Sequence, residues 1–124
     1  MDKDILFKDL SYQVIGICFK VHTKLGSGLP EHTYHHALVL EFTKQGIPCT
    51  SQQRFDVFYD KENVGHMFTD IIVDNKLILE LKSTDIISSN HISQLFTYLK
   101  VTKLRLGYVV NFGVRQLKYK RLIV

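Results

Sequence analysis

Apolar residues recur at helical spacing through Ile5, Leu6, Leu10, Val14, Ile17, Cys18 and Val21, which predicts a scaffold helix over residues 4–24 with one stripe facing a core. Leu25-Gly26-Ser27-Gly28 ends it, because glycine takes the positive φ of a helix stop without strain. Pro30 fits a first helical turn and Glu31 suits the positive end of a second helix, predicted to run to about Gln45 before Gly46. There Tyr34, Leu38 and Glu41 share one side, and Ala37, Leu40 and Phe42 are also available to the core. The period then changes to two. Gln53, Phe55, Val57 and Tyr59 alternate with Arg54, Asp56 and Phe58, which reads as a strand over residues 52–59. After the polar turn Asp60-Lys61-Glu62-Asn63, a second strand begins at Val64 and passes through Thr69 into Asp70.

Two aliphatic runs, Ile71-Ile72-Val73 and Leu77 to Lys82, flank Asp74-Asn75 and predict a β-hairpin. Alternation puts Ile78, Glu80 and Lys82 on one face and Leu77, Leu79 and Leu81 on the other. A two-residue loop would set Asp70 opposite Leu79. A connection of three residues, Asp74 to Lys76, sets Asp70 directly across from Glu80, and we expect that connection or a bulge with the same effect. The three strands are expected to form an antiparallel meander.

A third helix is predicted over residues 88–101. Ile92, Leu95, Phe96 and Leu99 form its core stripe, and His91, Gln94 and Tyr98 a second stripe of hydrogen-bonding side chains. Such a face suits a partly enclosed site better than open solvent, although a polar surface or a subunit contact would carry it too. Residues 106–112 read as a buried strand ended by Gly113, and residues 114–124 as an edge strand or arm. The helix between two strands makes a right-handed βαβ unit. The expected fold class is α/β, in the order α-α-β-β-β-α-β, with a mixed central β-sheet flanked by helices and a single domain over residues 1–124.

Composition narrows the function. The net charge of +4 conceals an asymmetry: residues up to Asp85 hold all 12 acids with 9 bases, and the remainder holds 7 bases and no acid. Acids gathered in one region and bases in another suit a polyanionic partner held beside a metal site, although a basic surface kept for solubility reads the same way. Cys18 and Cys49 sit in apolar patterns, so reduced thiols and a cytoplasmic protein are expected. No apolar run is long enough to span a membrane, and Met1-Asp2-Lys3-Asp4 lacks the features of a signal peptide. His32 and His36 lie one helical turn apart, but no third ligand follows at a recognised spacing, so zinc is not expected there.

Cross-strand partners stand about 4.5–5.5 Å apart at Cβ, close enough for Asp70 and Glu80 to grip one divalent cation. The plainer reading is a solvated charged face, in which Glu80 and Lys82 form a surface pair of little energetic weight. The wider pattern favours the metal. Asp70 on one strand, Glu80-x-Lys82 on the next, and Gln94-x-x-x-Tyr98 on the following helix resemble the PD-(D/E)XK nuclease superfamily, particularly its RecB-like branch. Gly28-Leu29-Pro30-Glu31-His32-Thr33-Tyr34 is similar to the signature of the GxxExxY family within it, as are Gly65, Leu79 to Lys82, Gln94 to Lys100 and Asn111-Phe112-Gly113. Thr69 stands where the superfamily's name places proline.

The resemblance implies a restriction-endonuclease-like core and metal-dependent hydrolysis of phosphodiester bonds, with DNA expected over RNA. On that reading Asp70 and Glu80, with Glu31 and the backbone carbonyl of Leu81, hold Mg²⁺ or Mn²⁺. Lys82 orients the attacking water or stabilises the developing charge, Gln94 positions water or a phosphate oxygen, and Tyr98 fixes the helix. Lys100, Lys103, Lys118, Lys120, Arg121 and His91 are expected to contact the nucleic-acid backbone. The alternatives are a non-catalytic nucleic-acid- or partner-binding module and a subunit of a larger DNA-processing complex. A homodimer would suit cleavage of both strands of a duplex.

Overall fold

A computed structural model describes residues 6–124. The elements run α1 (Lys8–Leu25), α2 (Glu31–Lys44), β1 (Cys49–Ser51), β2 (Arg54–Tyr59), β3 (Glu62–Phe68), β4 (Ile71–Val73), β5 (Leu77–Lys82), α3 (Ser89–Thr102), β6 (Leu106–Asn111) and β7 (Lys118–Ile123). The predicted helix start at residue 4, with Ile5 on its stripe, lies outside the described residues. β1, β4, β5, β6 and β7 lie in that order in one mixed sheet, and β2 pairs with β3 alone. The fold is the α/β class expected, with a parallel β5–β6 pair and antiparallel pairs on either side.

The faces follow from strand alternation. Leu77, Leu79 and Leu81 meet Val14, Ile17, Cys18 and Val21 of α1 and Tyr34, Leu38 and Phe42 of α2 in the larger core. Ile72, Ile78 and Val109 on the other face meet Leu95 and Leu99 of α3. Each such leucine or phenylalanine contributes about 1.5–3 kcal/mol when fully buried. Two residues predicted for the core are not in it: Leu40 is 57% and Phe96 46% exposed. The buried stripes run Tyr34-Leu38-Phe42 and Leu95-Leu99, and at 100° per residue Leu40 and Phe96 turn outside them. Glu41, on the Tyr34 side, instead accepts from Lys20 Nζ of α1 at 3.0 Å.

The predicted meander is also corrected. β2 and β3 leave the central sheet, and the short strand β1, absent from the expected order, pairs with β4 in their place. The register explains why. Cys49 to Ser51 pair with Val73 to Ile71, and Arg54 pairs with Phe68 in the same frame. Between these blocks Gln52 N–H donates to Asp70 O at 2.9 Å, and Thr69 N–H to Gln53 O at 3.1 Å. β1–β2 and β3–β4 are therefore one antiparallel ribbon, bent where Gln52 takes a φ of 50°. The Thr69 N–H is spent on that ladder, a bond proline could not donate.

β5 leads through residues 83–88 into α3, and β6 leads through Phe112 into Gly113. The two exits are clamped together: Asn111 Oδ1 accepts from Thr84 N–H at 3.0 Å and Gly113 N–H at 2.9 Å, and Asn111 Nδ2 donates to Thr84 O at 2.9 Å. A Cβ on Gly113 would lie 2.3 Å from Thr84 N and O. Gly113→Ala is therefore expected to cost about 3 kcal/mol through overpacking and loss of this clamp. A urea midpoint unchanged from wild type would refute the close approach.

Candidate active site

The carboxyl end of β5 carries the site, and the bend beside it explains the arrangement. Val73 pairs with Leu77 across a three-residue connection, Asp74 to Lys76, in which Asp74 and Asn75 both take φ near 52°. Ile71 pairs with Leu79, so the next position inward from Asp70 is Glu80, as expected. Because the backbone turns away at Thr69–Asp70, the Leu81 N–H that would pair onward loses its backbone partner. The Asp70 side chain replaces it, Oδ2 accepting from Leu81 N–H at 2.8 Å, while Asp70 N–H donates to Glu80 Oε1 at 3.3 Å.

Glu80 is only 4% exposed. Burial and then the neighbouring Asp70 carboxylate raise its pKa to about 9, against the opposing pull of the Asp70 N–H and Lys82. On the same face Lys82 Nζ donates to Gln94 Oε1 at 3.3 Å, and Gln94 Nε2 donates to Tyr98 OH at 3.1 Å. Burial, then Glu80 and Asp70, raise the Tyr98 pKa, which sets the phenol within the field of both carboxylates. Asp70, Glu80, Lys82, Gln94 and Tyr98 are thus brought together.

Glu31, exposed at the N-terminus of α2, lines a cleft of about 510 Å³ together with Asp70 and Leu81. Its motif neighbours are structural. Tyr34 OH donates to Gly26 O at 2.6 Å and accepts from Leu29 N–H at 3.1 Å, and its ring stacks on Phe112 at 4.5 Å.

The donor chemistry fits Mg²⁺ or Mn²⁺. Glu80 is buried against the Asp70 carboxylate, and a cation between the two would compensate the burial and the like charge that raise the Glu80 pKa. Among the described residues no group of three or more His, Cys, Asp or Glu side chains converges on one point. Mg²⁺ typically takes one or two carboxylates and completes its shell with water and phosphate, so Asp70 and Glu80 suffice as side-chain ligands. The Leu81 carbonyl shares the edge of β5 that its N–H turns to Asp70, so it is a backbone candidate.

His91 belongs to a capping box: its N–H donates to Ser88 Oγ at 3.2 Å, and its Nδ1 accepts from Ser88 N–H at 3.1 Å. Burial and then Lys82 lower its pKa, which favours the neutral ring that the cap requires. Lys100 and Lys103 stand at the far end of α3, Lys103 about 13 Å along the helix from Gln94. Arg121 is on the opposite sheet face from Glu80, donating to Tyr108 OH at 3.1 Å and Leu6 O at 3.3 Å. Lys118 and Lys120 are exposed and share the face of Glu80 and Lys82, since Lys118 pairs with Asn111, and Asn111 with Lys82.

Two polar residues gained importance only in three dimensions. Asn111 is 1% exposed and organises the exits of β5 and β6. His35 is buried beside the cleft and hydrogen-bonds Ser51 Oγ through Nε2. Its phase on α2, with Leu38 and Phe42 at i+3 and i+7, was the available sequence signal.

Comparison with known proteins adds to this geometry. Residues 8–122 match a family model described as PD-(D/E)XK nuclease superfamily. No curated protein matches the chain. Among solved structures the chain is similar to one titled "Crystal structure of SSO0001", with a TM-score of 0.59 and 16% identity over 75% of this chain and 50% of that one. That likeness concerns the fold, and this chain spans about half the length of that one.

Proposed function

The chain belongs to the PD-(D/E)XK nuclease superfamily, and we propose that it hydrolyses phosphodiester bonds in nucleic acid, DNA rather than RNA, with Mg²⁺ or Mn²⁺. Within the superfamily we assign it to the GxxExxY family and the RecB-like branch. The observation that carries the reading is the pairing of Asp70 with a buried Glu80 beside Lys82. A binding module would gain nothing from two carboxylates facing a polyanion.

A divalent ion held by Asp70, Glu80 and the Leu81 carbonyl would neutralise the phosphate and acidify a bound water. In hydrolysis the water oxygen bonds phosphorus, the bond to the leaving sugar oxygen breaks, and charge accumulates on the phosphoryl oxygens. The Lys82 ammonium is placed to meet that charge. Gln94 aims Lys82 through its amide oxygen, and Tyr98 anchors Gln94 through its amide nitrogen. Glu31, which lines the same cleft as Asp70 and Leu81, is assigned to the remaining shell of that ion. Among the described residues no helix is long and apolar enough to cross a membrane, and Cys18 and Cys49 are free thiols. We propose a cytoplasmic protein, with a second copy or a larger complex as a further partner.

The test is incubation of single- and double-stranded DNA with the protein and Mg²⁺ or Mn²⁺. Cleavage abolished by chelation supports the reading, and metal-independent or absent cleavage overturns it. Backbone contacts are checked separately. Lys118→Ala/Lys120→Ala should lower the slope of log affinity against log salt by about 2, and Arg121→Ala should leave it unchanged. An equal fall for Arg121→Ala would place that residue on the nucleic acid.

A further inference from the structure

We propose that a second copy of the chain docks on α1, the two helices antiparallel and crossing at Ile15–Gly16. The inference specifies the partner within the nuclease reading, and its test reads assembly rather than the chemistry at Asp70 and Glu80. α1 carries two apolar stripes. Val14, Ile17, Cys18 and Val21 are buried in the larger core. Tyr12, Ile15, Gly16 and Phe19, at i, i+3, i+4 and i+7, form a second stripe on the outer side. Tyr12 is 84% exposed, more than any other large apolar side chain among the described residues, and Phe19 and Tyr119, both half exposed, meet edge-on at 6.4 Å. The stripe and Tyr119 line a groove of about 660 Å³ between α1 and β7.

Gly16 points to a close approach. Glycine inside a helix weakens it relative to alanine, yet a Cβ built at Gly16 meets nothing within 4 Å. Packing within the chain therefore gives no reason for the missing side chain, whereas a second helix crossing there comes nearer without it. The buried Ser11 hydroxyl also lines the groove and lacks a hydrogen-bond partner among the described residues, so a polar atom brought in by the docked copy would satisfy it.

Symmetry and charge select a like copy as the occupant. An isologous pair needs a self-complementary surface, and antiparallel helices crossing between Ile15 and Gly16 set Tyr12 of each copy against Phe19 of the other, beside Tyr119. The same arrangement brings Asp9 to within about 3 Å along the axis of the level of Lys20 of the other copy and opposes the two helix dipoles. Charges flanking the stripe balance, Lys8 beside Asp9 and Lys20 on Glu41 at 3.0 Å. Arg121, in the groove, is held by Tyr108 OH and Leu6 O. Lys100, Lys103, Lys118 and Lys120 stand on α3, at its C-cap and on the Glu80 face of β7. An acidic partner would gain little on this side of the molecule, and a like copy meets little repulsion.

The test is sedimentation equilibrium of the full chain from about 1 to 100 µM, with wild type, Tyr12→Ala and Gly16→Ala. Wild type should reach twice the chain mass within that range. Tyr12→Ala should weaken the dimer at least about tenfold, and the diluted variant should keep the melting temperature of diluted wild type because the ring is exposed. Gly16→Ala should act with opposite signs on the two steps. Diluted to monomer, it should resist urea better than wild-type monomer through helix propensity, while the methyl groups added at the crossing weaken the dimer by about tenfold or more. A wild type that stays monomeric throughout the range, a dimer indifferent to either variant, or a Gly16→Ala monomer weaker than the wild-type monomer would overturn the inference. Each of those results leaves phosphodiester hydrolysis untouched, and absence of cleavage in the DNA assay leaves the dimer untouched.

Discussion

Glu80→Gln is expected to reduce metal-dependent cleavage by at least about a thousandfold and, in chelator, to make the protein more resistant to urea at pH 8 than wild type. The two effects share one cause. Glu80 is buried beside Asp70, and its pKa rises from the ordinary 4.5 of a glutamate to about 9. Between those values the folded state keeps a proton that the unfolded chain releases, so the stability contributed by neutral Glu80 is whole below about pH 4.5. It is lost as pH rises toward 9. The wild-type protein without metal should therefore weaken by a few kcal/mol from pH 5 to pH 9, and Glu80→Gln, which cannot ionise, should lose much less. At pH 5 the two should be nearly equal. Mn²⁺ at a hundred times its dissociation constant should stabilise the wild type by about 2.7 kcal/mol and the variant hardly at all. Urea midpoints across that pH range, with and without metal, decide the matter. A variant weaker than wild type by the same amount at every pH would make Glu80 a structural residue.

The second large effect is on Lys82, whose replacement should separate chemistry from binding. Lys82→Ala removes an ammonium that is half-buried and directed by Gln94 at 3.3 Å, while Asp70, Glu80 and the Leu81 carbonyl stay in place. Turnover should fall by about 10²–10³, the usual loss of one preorganised electrostatic stabiliser. Mn²⁺ affinity should stay the same or increase, because a cation next to the site has gone. Calorimetric titration beside single-turnover cleavage reads both quantities. Parallel losses would assign Lys82 to holding the site together, and full turnover would remove it from the chemistry.

Much of this site was legible in one dimension. The choice between two- and three-residue connections is a question of parity, and Asp74-Asn75 offers residue types that tolerate the positive φ values observed at both positions. Once the connection has three residues, Asp70 must oppose Glu80. The neighbouring face of α3 was equally accessible, because Gln94 and Tyr98 lie at i and i+4. Parity also separates Arg121 from Lys118 and Lys120. Which parity faces the site, however, depends on β7 pairing with β6 and on Tyr108 accepting from Arg121. His91 fitted the same helical stripe as Gln94, and the structure adds that its backbone N–H and ring Nδ1 form the cap with Ser88.

Local chemistry thus determined the helices, the hairpin register and the candidate residues, since the periods of 3.6 and 2 and the turn preferences act between residues close in sequence. Only the tertiary structure decided that the ribbon bends at Gln52 and Thr69–Asp70, that β1 replaces β2 and β3 in the central sheet, and that Glu80 is buried. Those outcomes arise from pairings and desolvation between segments distant in the chain. It is the bend that frees the Leu81 N–H, turns the Asp70 carboxylate onto it, and sets that charge against the buried Glu80.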